Sequence, residues 1–190
     1  MSTRRGSDAP RGAGPQRAGP QRPAARPPTT ERPHVPEYGI PASAEGTLSW
    51  AWARDRLQNA LTYWVATVRP DGRPHLMPTW GVWVGEAFYW EGGLQTRRAR
   101  NVALRADVVV SIGDDDAAVV IEGRAVRVTD PDAALEAELV AAFGKYAGPF
   151  DYVVDPANWQ TGGLWRVDPS VGFGWTAHGY PGDATRWRFG

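Results

Sequence analysis

Apolar residues alternate along much of the middle of the chain and shift to helical spacing in three stretches. From Leu61 to Arg69, Tyr63, Val65 and Thr67 alternate with Trp64, Ala66 and Val68. β-Branched and aromatic types dominate, so this is a strand, and with both faces apolar it is expected to be covered on both sides, as in a barrel. Pro70-Asp71-Gly72 then supplies a turn, Pro fixing φ and Gly giving φ > 0. A second strand is expected over Arg73–Val84, interrupted or at an edge because Pro74 and Pro78 cannot donate to a ladder. After Gly85-Glu86, Ala87–Gly92 forms a third, and the two short loops predict an antiparallel meander. Further strands are expected at Val108–Gly113, Ala118–Thr129, Leu164–Val167, Val171–Trp175 and Thr185–Phe189. Such a meander tends to close into a barrel, which removes its edges.

The helical stretches are Leu48–Ala60, with Ser49 as N-cap and Trp52, Arg56 and Leu57 at helical spacing, a segment from Thr96 to about Asp107, and Pro131–Tyr146. In the last, Leu135, Leu139 and Phe143 make one apolar stripe, a core face. Gly148–Thr161 reads as a loop. Asp114-Asp115-Asp116 reads as a solvated turn, because consecutive carboxylates converge poorly on a metal.

Composition changes this picture at one end. Nine of the 17 prolines fall within the first 41 residues, among arginines and with little aliphatic content. Residues 1–42 are therefore expected to be a disordered tail, and residues 43–190 the folded domain. The tail has seven arginines against three acids, but Tyr38, its one aromatic residue, lies beyond the last of them, so none is interleaved to stack bases and nucleic-acid binding is not expected. Formal net charge is zero and cysteine is absent, which excludes disulfides and thiolate chemistry and fits a reducing cytoplasm. No apolar run is long enough to span a membrane. Ten tryptophans are unusual; most are expected in cores or interfaces, the rest lining a ligand site.

Candidate chemistry is limited. No G-x-S-x-G, Rossmann or P-loop motif occurs, and the three histidines are far apart with no H-x-x-x-H. What remains is the helix start: Thr96, then Arg97, Arg98 and Arg100, then Asn101. Free backbone N–H groups and the helix dipole favour an anion there, and the arginines add charge-assisted bonds. In the second strand His75, Met77 and Thr79 share one face, and Leu76, Pro78 and Trp80 the other. A strand face beside a cationic helix start suits a flat aromatic ligand with a phosphate tail.

The order of these features resembles the pyridoxamine 5'-phosphate oxidase-like split β-barrel family, including actinobacterial members that use FMN or the deazaflavin F420. The resemblance runs from about Leu48 to Phe189 through DGRPH, FYW, TRRARN and IEGRA. It implies a mainly β fold, a six-stranded antiparallel split barrel with flanking helices, forming a homodimer with cofactor sites at the interface. It implies that Pro74, His75, Leu76, Met77, Pro78 and Thr79 run along the flavin ring and ribityl chain, with Tyr89 and Trp90 adding contacts. Thr96, Arg97 and Arg98 match the phosphate clamp, and Asn101 resembles the deazaflavin-type members. Trp175 and Arg186 match two closing contacts reaching across from a second copy of the chain.

The implied activity is hydride transfer between FMN or F420 and a small organic substrate. Gly182-Asp183 and Ala184 stand where the oxidase carries its substrate-phosphate Arg and His, which argues against pyridoxamine phosphate as that substrate. A non-catalytic flavin, F420 or haem carrier is the alternative, with His75 or His178 as the haem ligand. Partner or nucleic-acid binding through the basic tail is a third reading.

Overall fold

The computed structural model describes residues 26–190. Helix α1 (Trp50–Asn59) starts where Ser49 Oγ accepts from the Trp52 amide at 3.2 Å, and buries Trp50, Ala53 and Leu57 along one face. Strand β2 (Tyr63–Val68) then pairs antiparallel with β3 (Pro74–Thr79) across the turn at Gly72. Tyr63, Val65 and Thr67 point into the barrel. The opposite face of β2 is open rather than covered as expected, with Trp64 44% exposed.

The expected strand Arg73–Val84 breaks at Trp80-Gly81 and resumes as β4 (Val82–Val84). The Tyr146 hydroxyl bonds both the amide and the carbonyl of Gly81, at 2.9 and 2.8 Å, so that residue has no backbone groups left for a ladder. A Cβ at Gly81 would lie 2.4 Å from the Phe88 ring. Glycine alone permits this approach. The expected meander is consequently two separate hairpins. β4 pairs with β5 (Ala87–Glu91) through Gly85-Glu86, both at positive φ as a two-residue hairpin turn requires, and β5 continues onto a distant strand.

Helix α2 (Arg97–Leu104) follows, then β6 (Asp107–Gly113) and β7 (Ala117–Val128). Asp114 closes the acidic turn between them, accepting from the amides of Asp116 and Ala117. Helix α3 (Ala133–Phe143), capped by Asp132, leads through a 3-10 turn at Gly144–Tyr146 into short α4 (Ala147–Phe150). Of the expected stripe, Leu139 and Phe143 are buried and Leu135 packs at its margin.

The two strands expected around Asp168-Pro169 are one, β8 (Leu164–Thr176), because a bulge that leaves Ser170 of β8 unpaired, opposite Glu122/Gly123 of β7, absorbs the proline. On its other edge β8 pairs with β5 before the bulge and with β9 (Thr185–Arg188) after it. That fork splits the barrel. With the N-terminal strand β1 (Thr29–Glu31), sheet order runs β1-β9-β8-β7-β6-β2-β3, with β3 at an edge. The fold is thus the expected split barrel of mainly antiparallel sheet with a few helices, carrying nine strands among the described residues rather than six.

β1 (Thr29–Glu31) lies within the segment expected to be a disordered tail. It pairs with β9, and the Glu31 carboxylate accepts from Nε of both Arg186 and Arg188. Arg32 bonds the Ser43 carbonyl at 2.7 Å, the Ala184 carbonyl at 2.8 Å and the Glu45 carbonyl. An open sheet edge and two arginines hold a segment whose own apolar content is too low to order it. The rest of the expected tail, residues 1–25, lies outside the described residues.

Two cores result. The barrel interior holds Leu57, Tyr63, Phe88, Val110, Ile121 and Trp187, with Trp50 edge-on to Trp83 and Trp187. Behind the β4–β5 hairpin, Tyr89, Leu139, Phe143, Tyr146 and Leu164 form the second. Six tryptophans are buried (Trp50, Trp83, Trp90, Trp159, Trp165 and Trp187), which leaves Trp52, Trp64, Trp80 and Trp175 for clefts and surfaces.

Candidate functional site

β3 is the organising element. It pairs only with β2, and its apolar side chains stay open: Leu76 is 54% exposed and Met77 49%. Pro74 and Pro78 share the outer sheet face with Leu76, while His75, Met77 and Thr79 share the inner face with Thr67, Val65 and Tyr63. Pro74 also borders a shallow cleft of about 450 Å³ on that outer face.

α2 packs against this inner face, starting where Thr96 Oγ1 accepts from the Ala99 amide at 3.2 Å. Ala99 and Val102 point inward and anchor the helix, whereas Leu104 is 66% exposed. Anchoring on that side carries Arg98 toward β3. Its Nη2 donates to Thr79 Oγ1 at 3.1 Å, and the guanidinium lies 5.3 Å from the Trp90 ring centroid. Nε and Nη1 of Arg98 are buried without a partner. Burial brings its pKa down to about 10. It remains a cation at neutral pH, with two donors unused and no acid beside it among the described residues. Buried unpaired charge is costly, and an anion supplied from outside removes the cost.

Three arginines reach the same place. His75 is held below its ordinary pKa by partial burial first, then by the charges of Arg69, Arg97 and Arg98. It is a neutral imidazole at pH 7. Arg69 was not apparent in the sequence, because an arginine beside a turn reads as solvated; its Nε is nevertheless buried without a partner. Arg97 and Thr96 are exposed at the helix start.

The remaining expected site residues are placed differently. Asn101 is 1% exposed and lies under the helix, its Nδ2 donating to Thr67 Oγ1 at 2.9 Å. Thr67 Oγ1 is in turn 3.4 Å from His75 Nδ1. Asn101 therefore lies behind Thr67 and His75, beneath the helix, with its Oδ1 buried and unpartnered. Trp90 is 1% exposed and stacked on Trp165, so it meets the site only through Arg98. Tyr89 is fully buried on the far side of the sheet, in the second core. Both are inside because the residues of β5 alternate between two cores rather than between a core and a ligand.

Trp175 on β8 and Arg186 on β9 are not brought to Arg98 within one chain. β8 lies four strands along the sheet from β3, roughly 19 Å at ordinary strand spacing. Arg186 is engaged by Glu31 of its own chain. His178 lies beyond β8, near Trp175 rather than near His75. Among the described residues no group of three metal-ligating side chains converges, and no helix is long and apolar enough to cross a membrane.

Comparison with known proteins agrees on the fold. A conserved hypothetical protein from Mycobacterium tuberculosis superposes with a TM-score of 0.58 at 23% identity, covering 70% of this chain and 88% of that one. An F420 reductase gives 0.50 at 24%, covering 68% and 98%. A haem-binding protein from Mycobacterium smegmatis gives 0.51 at 20%, covering 65% and 52%. No curated protein matches the chain. The sequence model of pyridoxamine 5'-phosphate oxidase matches residues 51–163, well over half of the chain and including all of β2 to β7. By that match, and by the forked barrel that carries it, the chain belongs to the pyridoxamine 5'-phosphate oxidase family of split β-barrels.

Proposed function

We propose that this protein is an FMN- or F420-dependent oxidoreductase acting on a small organic substrate. The observation that carries the reading is the Arg98 guanidinium, half-buried at a helix start with Nε and Nη1 unpartnered. Both cofactors bring a phosphate and a tricyclic ring. Arg98, Arg97, Thr96 and the α2 amides would hold the phosphate, with Arg69 adding charge. The open strand Pro74–Thr79 would carry the ring and its chain. When bound, the cofactor supplies the hydride chemistry. The protein's own part is to orient it, to neutralise its phosphate and to keep His75 uncharged beside it.

The site is half-walled in one chain, which supports a homodimer in which Trp175 and its surroundings from a second copy complete it. The outer sheet face offers the apolar surface for this, with Trp64 and Leu76 open. A cytoplasmic location is part of the same proposal.

The test is titration of the purified protein with FMN and with F420, followed by reduction of whichever binds and reoxidation by a substrate panel. Binding with turnover supports the proposal; binding of neither removes it. A second reading, a haem carrier, is favoured by neutral His75, whose Nε2 has no hydrogen bond among the described residues. A Soret band that disappears in His75→Ala would select it.

A further inference from the structure

At the other end of the sheet lies an apolar groove of about 510 Å³, within the usual range of small-molecule pockets. One wall is the segment after β1, with Pro33, Val35, Tyr38 and Ile40; the other is β8 and the turn beyond it, with Trp175 and Tyr180. No charged side chain lines it. Tyr180 stands between two rings, edge-on to Tyr38 at 6.2 Å and 78° and to Trp175 at 6.4 Å and 64°. Tyr38 is 58% exposed and Tyr180 37%, and neither hydroxyl has a hydrogen-bond partner among the described residues.

Both walls are held in place independently of any ligand. Glu31 and Arg32 clamp the base of the proline-bearing segment to β9, to Ala184 and to the backbone at Ser43 and Glu45. Asp183 holds the other wall, accepting from the Thr176 amide at 2.9 Å and its hydroxyl at 2.6 Å, while the Tyr180 amide bonds the Thr176 carbonyl. Ordering a chain segment costs about 1–2 kcal/mol per residue, and here charged anchors bear that cost outside the groove. Aromatic rings left part-exposed on a preorganised frame gain by covering a flat apolar surface. A charged ligand would lose its water with no counter-charge to meet it. The hydroxyls of Tyr38 and Tyr180, unpartnered among the described residues, are available for polar contacts.

We propose that this groove binds a neutral, planar aromatic molecule with a hydroxyl or carbonyl at one edge, and that residues 33–40 are its selecting wall. As a binding site it stands on the groove alone. That its ligand is the oxidoreductase's substrate rests on the function and homodimer proposed above, which would bring the groove of one chain to the cofactor of the other.

Calorimetric titration of the full chain with 2-naphthol, and with 2-naphthoate as the charged counterpart, tests it. The expected result is saturable 2-naphthol binding below about 1 mM, with the carboxylate weaker by about tenfold or more. Tyr180→Ala and Val35→Asp should each weaken 2-naphthol by about tenfold. Both residues are partly exposed, and circular dichroism checks that the variants fold; Tyr38→Ala, at the most exposed ring, decides if either does not. Non-saturable binding, or equal affinity in folded variants, overturns the proposal. Arg98→Met should leave 2-naphthol binding unchanged. Failure to bind either cofactor with 2-naphthol binding intact would therefore remove the oxidoreductase reading and not this one.

Discussion

Replacing Arg98 with methionine separates a structural arginine from one kept for a ligand, because the two predict opposite signs. Methionine keeps the apolar stem and removes the charge. In the unliganded protein, burial that lowers the guanidinium pKa to about 10 corresponds to about 3 kcal/mol against its charged form. Solvent contact along part of the side chain reduces this to about 2 kcal/mol. The variant loses the 3.1 Å bond to Thr79, about 1 kcal/mol, and the contact with the Trp90 ring, about 0.5–1 kcal/mol. The sum is a change between zero and about 0.5 kcal/mol in favour of the variant, a rise of up to about 2 °C in Tm. Cofactor binding moves the other way. Two charge-assisted bonds from Nε and Nη1, about 1.5 kcal/mol each, are lost, and affinity falls by about 100-fold. Thermal unfolding without ligand and fluorescence titration with FMN and F420 read the two quantities. If the variant lost more than about 2 kcal/mol of stability and bound either cofactor unchanged, Arg98 would be a packing residue and the reasoning would be wrong.

Three further outcomes follow from the same geometry. His75 has a folded pKa below its unfolded value near 6.5, so the unfolded chain binds more protons on acidification and the stability associated with His75 is lost as pH falls below neutrality. Its ring resonances should titrate at higher pH once FMN or F420 is added, because the phosphate neutralises the arginines; an unmoved midpoint would place the anion elsewhere. Asn101→Ala should cost about 1–2 kcal/mol in urea unfolding through the lost bond to Thr67, while cofactor affinity at saturating stability changes far less than in Arg98→Met. Lys145→Met should cost about 2 kcal/mol, since Nζ donates to the Gln58 and Ala60 carbonyls at the end of α1 and to the Tyr63 hydroxyl, at 3.1, 2.7 and 2.9 Å. A neutral result in urea would mean water replaces it fully.

Most of what the sequence by itself determined is local. Alternation at Tyr63–Val68 and Ala117–Val128, the caps Ser49 and Thr96, and the glycine turns at Gly72 and Gly85 appear in the structure where their spacing puts them. Each depends on φ preferences, side-chain period or one nearby hydrogen bond, and so is readable within a few residues. The cationic helix start was readable for the same reason. Which of its residues face a ligand was not. Asn101 turns inward because Thr67, 34 positions earlier, offers an acceptor beneath the helix. Arg69 joins the site because β2 ends beside α2. Tyr89 is buried because a second core, assembled by α3 from about 50 residues further on, covers the other side of β5, and Trp90 because the barrel interior takes the alternate position. Gly81 breaks a strand through Tyr146, and Glu31 builds one through Arg186 and Arg188, at separations of 65 and more than 150 residues. Contacts of that kind leave no periodicity behind. They arise only when the forked sheet has closed, since closure alone decides which charge meets which, and whether an aromatic residue meets a core, a cofactor site or an open groove.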